Sequence, residues 1–200
     1  MIKYRKAFSF FLFFVFCLSS YGLLVPKGLA NSIFLPLILR SSFSCPVISN
    51  GDFEQGATGW NQSSLNNRPL IVDANYLNST FGVTPHNGTW AASLCGVPNE
   101  VASLKQPISV SASCPYLSYW HWIDSFAPCG VHYGKVTITD LTGTNTVDTY
   151  DLCSETITNG WVIHTLNLGT YAGQTVTLEI RAECNTTDIS ILLLDDVSFQ

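Results

Sequence analysis

From residue 47 onward, apolar and β-branched residues come in short runs, alternating or continuous, broken by clusters of Gly, Pro, Asn, Asp and Ser. Side chains alternate sides along an extended chain, and the breaking residues take turn conformations at little cost, so this spacing is that of strands closed by turns. The pattern predicts strands over 47–54, 70–74, 89–94, 102–110, 116–124, 135–140, 146–152, 161–168, 175–182 and 189–199. Within Thr175-Val176-Thr177-Leu178-Glu179-Ile180-Arg181, the apolar Val176, Leu178 and Ile180 share one side and polar groups the other, as in a half-buried antiparallel strand. Lys135-Val136-Thr137-Ile138-Thr139 repeats the pattern, and turn residues 142–145 fold it back onto Thr146-Val147-Asp148-Thr149-Tyr150 as a hairpin. No stretch holds a helical period over three turns. The expected fold is all-β, a two-sheet antiparallel sandwich of the jelly-roll kind.

The first thirty residues obey another rule. Lys3, Arg5 and Lys6 precede an apolar stretch over 7–25, and Gly28-Leu29-Ala30 offers small residues at the positions a signal peptidase inspects, which predicts a signal peptide over 1–30 cleaved after Ala30. The apolar run approaches the ~20 residues that span a bilayer core, so the alternative is an uncleaved anchor, and membrane contact is expected only in that case. Residues 31–44, with Phe34-Leu35-Pro36-Leu37-Ile38-Leu39-Arg40 and a Ser-rich step, are too short for a helix that stands alone and read as a linker. Residues 45–200 are then one domain, expected to be a monomer.

Export sharpens the chemistry. Four of the nine Lys and Arg leave with the signal and none of the fourteen Asp and Glu, so the mature chain is more acidic than the formal −5 of the whole sequence. Such a surface repels nucleic acid and anionic membrane. Of seven cysteines, Cys17 departs and an even number stays, with no Cys-x-x-Cys pair; in an oxidising compartment this predicts disulfides rather than metal thiolates. The 135–150 hairpin brings Cys129 and Cys153 together at its open end, which predicts their disulfide. Cys45, Cys95, Cys114 and Cys184 can pair in three ways, and spacing does not choose.

Further residues carry a resemblance. Asn50-Gly51-Asp52-Phe53-Glu54-Gln55-Gly56 followed by Gly59-Trp60, then Asn87-Gly88-Thr89-Trp90-Ala91-Ala92, the aromatic run 116–123, Tyr171-Ala172-Gly173-Gln174 and the closing Leu194-Asp195-Asp196-Val197-Ser198-Phe199 together resemble bacterial carbohydrate-binding modules of the galactose-binding-like jelly-roll type. The closing segment also resembles related adhesion modules such as MAM domains. The resemblance implies that the first and last strands lie side by side, drawing Asp52 and Glu54 toward Asp195 and Asp196. Carboxylates at close quarters repel unless a cation sits among them, and calcium takes six to eight oxygen ligands. The resembled modules often hold a structural calcium near this place, with Glu54 and one of the terminal aspartates as ligands. The alternative is that these acids cap turns or face solvent.

In Tyr116-Leu117-Ser118-Tyr119-Trp120-His121-Trp122-Ile123-Asp124, alternation sets Trp120 and Trp122 on one face and Tyr119, His121 and Ile123 on the other, and both faces are bulky, so periodicity does not name the core side. Flat rings stack on the apolar faces of sugars, and Trp120 and Trp122, extended by Trp60, Trp90 and Tyr133, are the candidate carbohydrate platform; the competing role is core filling. His86, His121, His132 and His164 lack metal-ligand spacing, and no nucleophile elbow, phosphate loop or dinucleotide fingerprint is present. A glycosidase needs two carboxylates ~5 to 10 Å apart, but the acids here gather at strand ends where calcium accounts for them. Four Asn-x-Ser/Thr triplets, beginning at Asn61, Asn78, Asn87 and Asn185, accept glycans only in a host with the machinery, and the resemblance points to bacteria. The expected function is a secreted or cell-surface non-catalytic module that binds carbohydrate or cell-surface glycan; the alternative is an adhesion or structural module that binds protein.

Overall fold

Strict alternation of inward and outward side chains stacks this chain into two layers. The computed structural model describes residues 44–185 and 188–200; the expected signal peptide over 1–30, and the expected linker apart from Ser44, lie outside the described residues. The elements are β1 (Asn61–Ser64), β2 (Ile71–Asp73), α1 (Ala74–Phe81), β3 (Trp90–Cys95), β4 (Glu100–Ser109), β5 (Tyr116–Ser125), β6 (His132–Asp140), β7 (Gly143–Asp151), β8 (Val162–Asn167), a 3-10 turn (Gly169–Tyr171), β9 (Thr175–Cys184) and β10 (Ser190–Phe199). They form two five-stranded antiparallel sheets, ordered β1-β4-β9-β6-β7 and β2-β3-β10-β5-β8.

The inward rows meet in one core. Leu104 of β4, Val136 and Ile138 of β6, and Leu178 and Ile180 of β9 face Ala92 and Leu94 of β3, Leu117, Tyr119 and Ile123 of β5, and Leu192 and Leu194 of β10. At ~25 cal/mol per Å² of apolar surface removed from water, each Val, Leu or Ile among them contributes about 1.5–3 kcal/mol before the entropy of ordering is counted. Three disulfides among the described residues reinforce the layers. Cys129–Cys153 closes the base of the β6–β7 hairpin as its spacing predicts, Cys95–Cys184 crosses from β3 to β9, and Cys45–Cys114 ties the amino-terminal segment to the β4–β5 loop.

Three local outcomes differ from the alternation pattern. Residues 47–54 do not form a strand: the side chain of Asn50 donates to the carbonyls of Gly56 and Thr58 and accepts from the Gln55 N–H, and Asn50 and Phe53 take positive φ. The segment is a knot of turns that plugs Phe53 and Trp60 into the core, their rings 5.4 Å apart. It still lies against the last strand, where Val197 N–H donates to Gly51 O at 2.8 Å. β1 escapes a hydrophobic reading because its sequence, Asn-Gln-Ser-Ser, is wholly polar and is recruited by pairing with β4. α1 is too short to show a period; Asp73 caps its start by accepting from Tyr76 N–H, and Gly82, in the left-handed region, ends it.

One polar cluster is embedded between the sheets at their β7 and β8 edges. Tyr119 and His121 of β5, Tyr150 of β7 and His164 of β8 bring their rings within 5.2–6.2 Å of one another, and His164 Nε2 pairs with Asp148 at 2.7 Å. The Nδ1 atom of His121 is buried without a hydrogen-bond partner. Burial, with the neighbouring His164, depresses the His121 pKa to about 4. An unfolded histidine titrates near 6.5, so between these values the unfolded chain binds more protons; the contribution to stability is complete above pH 6.5 and is lost as the pH falls toward 4. Thermal midpoints recorded from pH 7 to 4 should therefore fall, and fall less steeply for His121→Phe; equal slopes would assign the effect to other groups.

Candidate functional site

The outer faces of the two sheets are chemically unlike. On the β4–β9–β6 side, Lys105 pairs with Glu179 at 3.3 Å, Lys135 with Glu183 at 2.6 Å and Arg181 with Glu183 at 2.8 Å, a ladder of solvated ion pairs. Tyr133 stands in this ladder, with the Lys135 ammonium 5.7 Å from its ring centroid and its hydroxyl donating to Gly130 O. On the other sheet, Val72, Ala91 and Leu193 face outward yet are buried, because Leu77 of α1 and Val83 close over them. Phe81, Trp122, Trp161 and Ile191 pack half-buried around that second cluster.

Acids at the strand ends hold the cover in place. Glu54 accepts from the N–H groups of Thr89 and Trp90 and from the Thr89 hydroxyl, at 2.7–2.9 Å. Burial pushes its carboxyl upward, but these bonds outweigh it and hold the pKa below the usual carboxylate value. Gly88 has φ +59°, and a β-carbon there would collide with the Glu54 carboxylate, so the turn can approach that closely only without a side chain. From the opposite side the fully buried Asp195 accepts from His86 and Asn87 N–H at 3.0 and 3.2 Å. Burial raises its pKa to about 7, against the backbone hydrogen bonds that favour the ionised form. Asp196 receives His86 Nδ1 at 2.6 Å, and the His86 ring stacks on Trp120 at 3.9 Å between centroids and meets Trp161 edge-on. The exposed Asp52 approaches only the Glu54 N–H of its own turn, at 3.5 Å. Among the described residues, the four acids do not bring their oxygens within 4.8 Å of one another as one cluster; the set that does, Cys129, Asp151 and Cys153, contains a disulfide.

The candidate rings separate accordingly. Trp60 and Trp90 pack on the main core. Tyr133 stands on the outer face of the first sheet, away from Trp120 and Trp122, because its strand belongs to that sheet. Trp120 and Trp122 share the outer face of the second sheet, Trp120 lying under His86 and Trp122 meeting Trp161 edge-on at 6.2 Å. His86 and Trp161 are new to this cluster. The Trp161 indole N–H donates to Thr84 O at 3.0 Å, and only the folded cover could reveal that contact.

No protein-family model and no curated protein matches this sequence. Solved structures do. The carbohydrate-binding module TmCBM61, in complex with β-1,4-galactotriose, is similar over 78% of this chain and 99% of its own, at 14% identity and a TM-score of 0.53. The K1 cleaved adhesin domain of Lys-gingipain from Porphyromonas gingivalis W83 is similar over 72% of this chain and 90% of its own, at 15% identity and a TM-score of 0.50. This chain has the β-sandwich fold of carbohydrate-binding modules and adhesin domains. At such identities the likeness is one of architecture, and a ligand has to be argued from the site.

Removing the Glu54 carboxylate tests the clasp directly. Glu54→Ala forfeits three hydrogen bonds at an exposed position and should cost about 1 kcal/mol in denaturant unfolding, with faster amide exchange at Thr89 and Trp90. Unchanged exchange at both amides would show that the turn does not depend on it.

Proposed function

We propose that this chain is an extracytoplasmic, non-catalytic module that binds carbohydrate through the outer face of the β2-β3-β10-β5-β8 sheet. The observation that carries the reading is the contrast between the two outer faces: one is sealed by ion pairs, and the other presents half-buried indoles on an inner strand of a rigid sheet. Indole rings offer flat apolar area at low entropic cost, and sugar sites combine such surfaces with a few placed polar groups. Three disulfides among the described residues suit a protein that matures in an oxidising compartment. Glu54, Asp195 and Asp196 spend their oxygens on hydrogen bonds inside the fold, which favours a structural role for them over glycosidic hydrolysis.

Retention on immobilised polysaccharides, or a glycan array, tests this with the oxidised chain. Trp122→Ala should weaken retention about tenfold or more while thermal unfolding stays cooperative. Trp120→Ala, whose ring lies beneath His86, should lower stability more than binding. Failure of the native chain to bind any glycan would favour the adhesion reading, in which the same face meets protein.

A structural calcium belongs to the same proposal. Glu54 and Asp195, which both grip the 86–90 turn, would be its ligands, each through the lone pair left on the oxygen that accepts a single hydrogen bond, Glu54 Oε2 and Asp195 Oδ1. Asp196 is engaged by His86, and Asp52 is exposed. Carbonyl oxygens and water would complete the shell that calcium requires. An ion that binds only the folded chain stabilises it by ~2.7 kcal/mol at a hundredfold excess over its Kd. Chelation should therefore lower the thermal midpoint, and added calcium should restore it; an unchanged midpoint would remove the ion.

A further inference from the structure

The cover leaves a gap beside the end of α1. Between the end of α1 and the sheet lies a recess of about 110 Å³, walled by Phe81, Gly82 and Val83 on one side and by Trp122, Asp124 and Ile191 on the other. The register builds the sheet side: Asp124 of β5 lies beside Ile191 of β10, and Trp122 beside Leu193, so the indole and the carboxylate stand two residues apart on the same face. The helix side is also fixed. Gly82 leaves α1 in the left-handed conformation, and the Phe81 ring lies on Gly96 so closely that a β-carbon there would meet its Cζ at 2.9 Å.

Asp124 is the odd member of this surface. Other acids of the cover and the strands beneath it are engaged: Asp73 caps α1, Glu54 and Asp195 grip the turn, and Asp196 holds His86. Asp124, half-buried in the recess, accepts no hydrogen bond and forms no ion pair among the described residues. An ionised carboxylate has two oxygens and only accepts. Its position between an indole, a phenyl ring and an isoleucine suits a ligand with apolar C–H edges and adjacent hydroxyl donors.

We propose, resting on the carbohydrate reading above, that this recess seats the terminal ring of an uncharged sugar chain. Trp122, Phe81 and Ile191 contact its C–H groups, and Asp124 accepts from two neighbouring hydroxyls. The recess has room for about four waters at their ~30 Å³ share of the liquid, less than a whole pyranose occupies, so one edge of the terminal ring enters and the rest of the chain stays outside. The carboxylate also sets the class. A uronic acid or sulfated sugar would place a second negative charge beside Asp124, and like charges at contact repel.

The experiment titrates methyl β-galactoside, methyl β-glucoside and methyl α-mannoside, with galacturonic acid as the charged counterpart, into the oxidised chain. Tryptophan fluorescence and competition against polysaccharide retention provide the readout. At least one neutral glycoside should bind and compete, and galacturonic acid should do so more weakly. Asp124→Ala should weaken binding roughly 10- to 100-fold, the range for hydrogen bonds to a charged group. Its thermal midpoint should stay unchanged, because no partner is lost. Asp124→Asn should keep the fold and lessen the discrimination against galacturonic acid. Native affinity in Asp124→Ala, or equal binding of charged and neutral sugars, would overturn the assignment. Polysaccharide binding lost in Trp122→Ala but intact in Asp124→Ala would leave the carbohydrate-binding face standing and remove the recess from it. Absence of any glycan binding by the native chain would remove both.

Discussion

A carboxylate buried near the end of the last strand governs how the second sheet is covered. Asp195 has no solvent, and a buried acid without hydrogen bonds would cost several kcal/mol, so the chain must bring donors to it. They come from the backbone of His86 and Asn87. Delivering those donors draws the 82–89 segment across the outer face, where Val83 joins Leu77 over Leu193 and His86 reaches Trp120 and Asp196. Glu54 grips the same turn at Thr89 and Trp90. The amino-terminal turns, the cover and the last strand are thereby one mechanical unit.

That unit explains why the proposed binding surface is narrow rather than a broad aromatic platform. Each outward ring on β5 would be free on a bare sheet, but the cover takes one face of Trp120 and most of the apolar row around Leu193. What remains open is where the cover stops, at the Gly82 end of α1, beside Trp122 and Asp124. Rigidity is supplied by the sheet, since β5 pairs with both β10 and β8 and the sandwich is cross-linked through Cys95–Cys184. A small site on such a frame pays little ordering entropy on binding. The opposite face is filled by Lys105, Lys135, Arg181 and their glutamates.

Much of the fold was legible because strand periodicity is a local property. The alternation of Val176, Leu178 and Ile180, and of Val136 and Ile138, reports the buried side directly, and all five are core residues. The hairpin between β6 and β7 joins neighbours in sequence, so the Cys129–Cys153 pair could be anticipated from it, whereas Cys95–Cys184 and Cys45–Cys114 join segments 89 and 69 residues apart and depend on topology. The 47–54 segment misleads for a physical reason. Its apolar residues anchor turns from inside, and the side chain of Asn50 supplies the hydrogen bonds that a strand partner would otherwise provide.

The site shows the same division. Residue order alone placed Trp120 and Trp122 on one face of a strand and set the all-β class, because both follow from spacing along the chain, whereas the acids at the two ends of the domain were singled out by the resemblance to carbohydrate-binding modules. Only the folded chain decided which face of β5 is core, packed the half-buried Trp90 against the main core, carried Tyr133 to the other surface, covered Trp120 with His86 and left Asp124 without a partner among the described residues. Those outcomes turn on contacts between residues far apart in sequence, where packing and the demand for buried hydrogen bonds, rather than any local periodicity, select the arrangement.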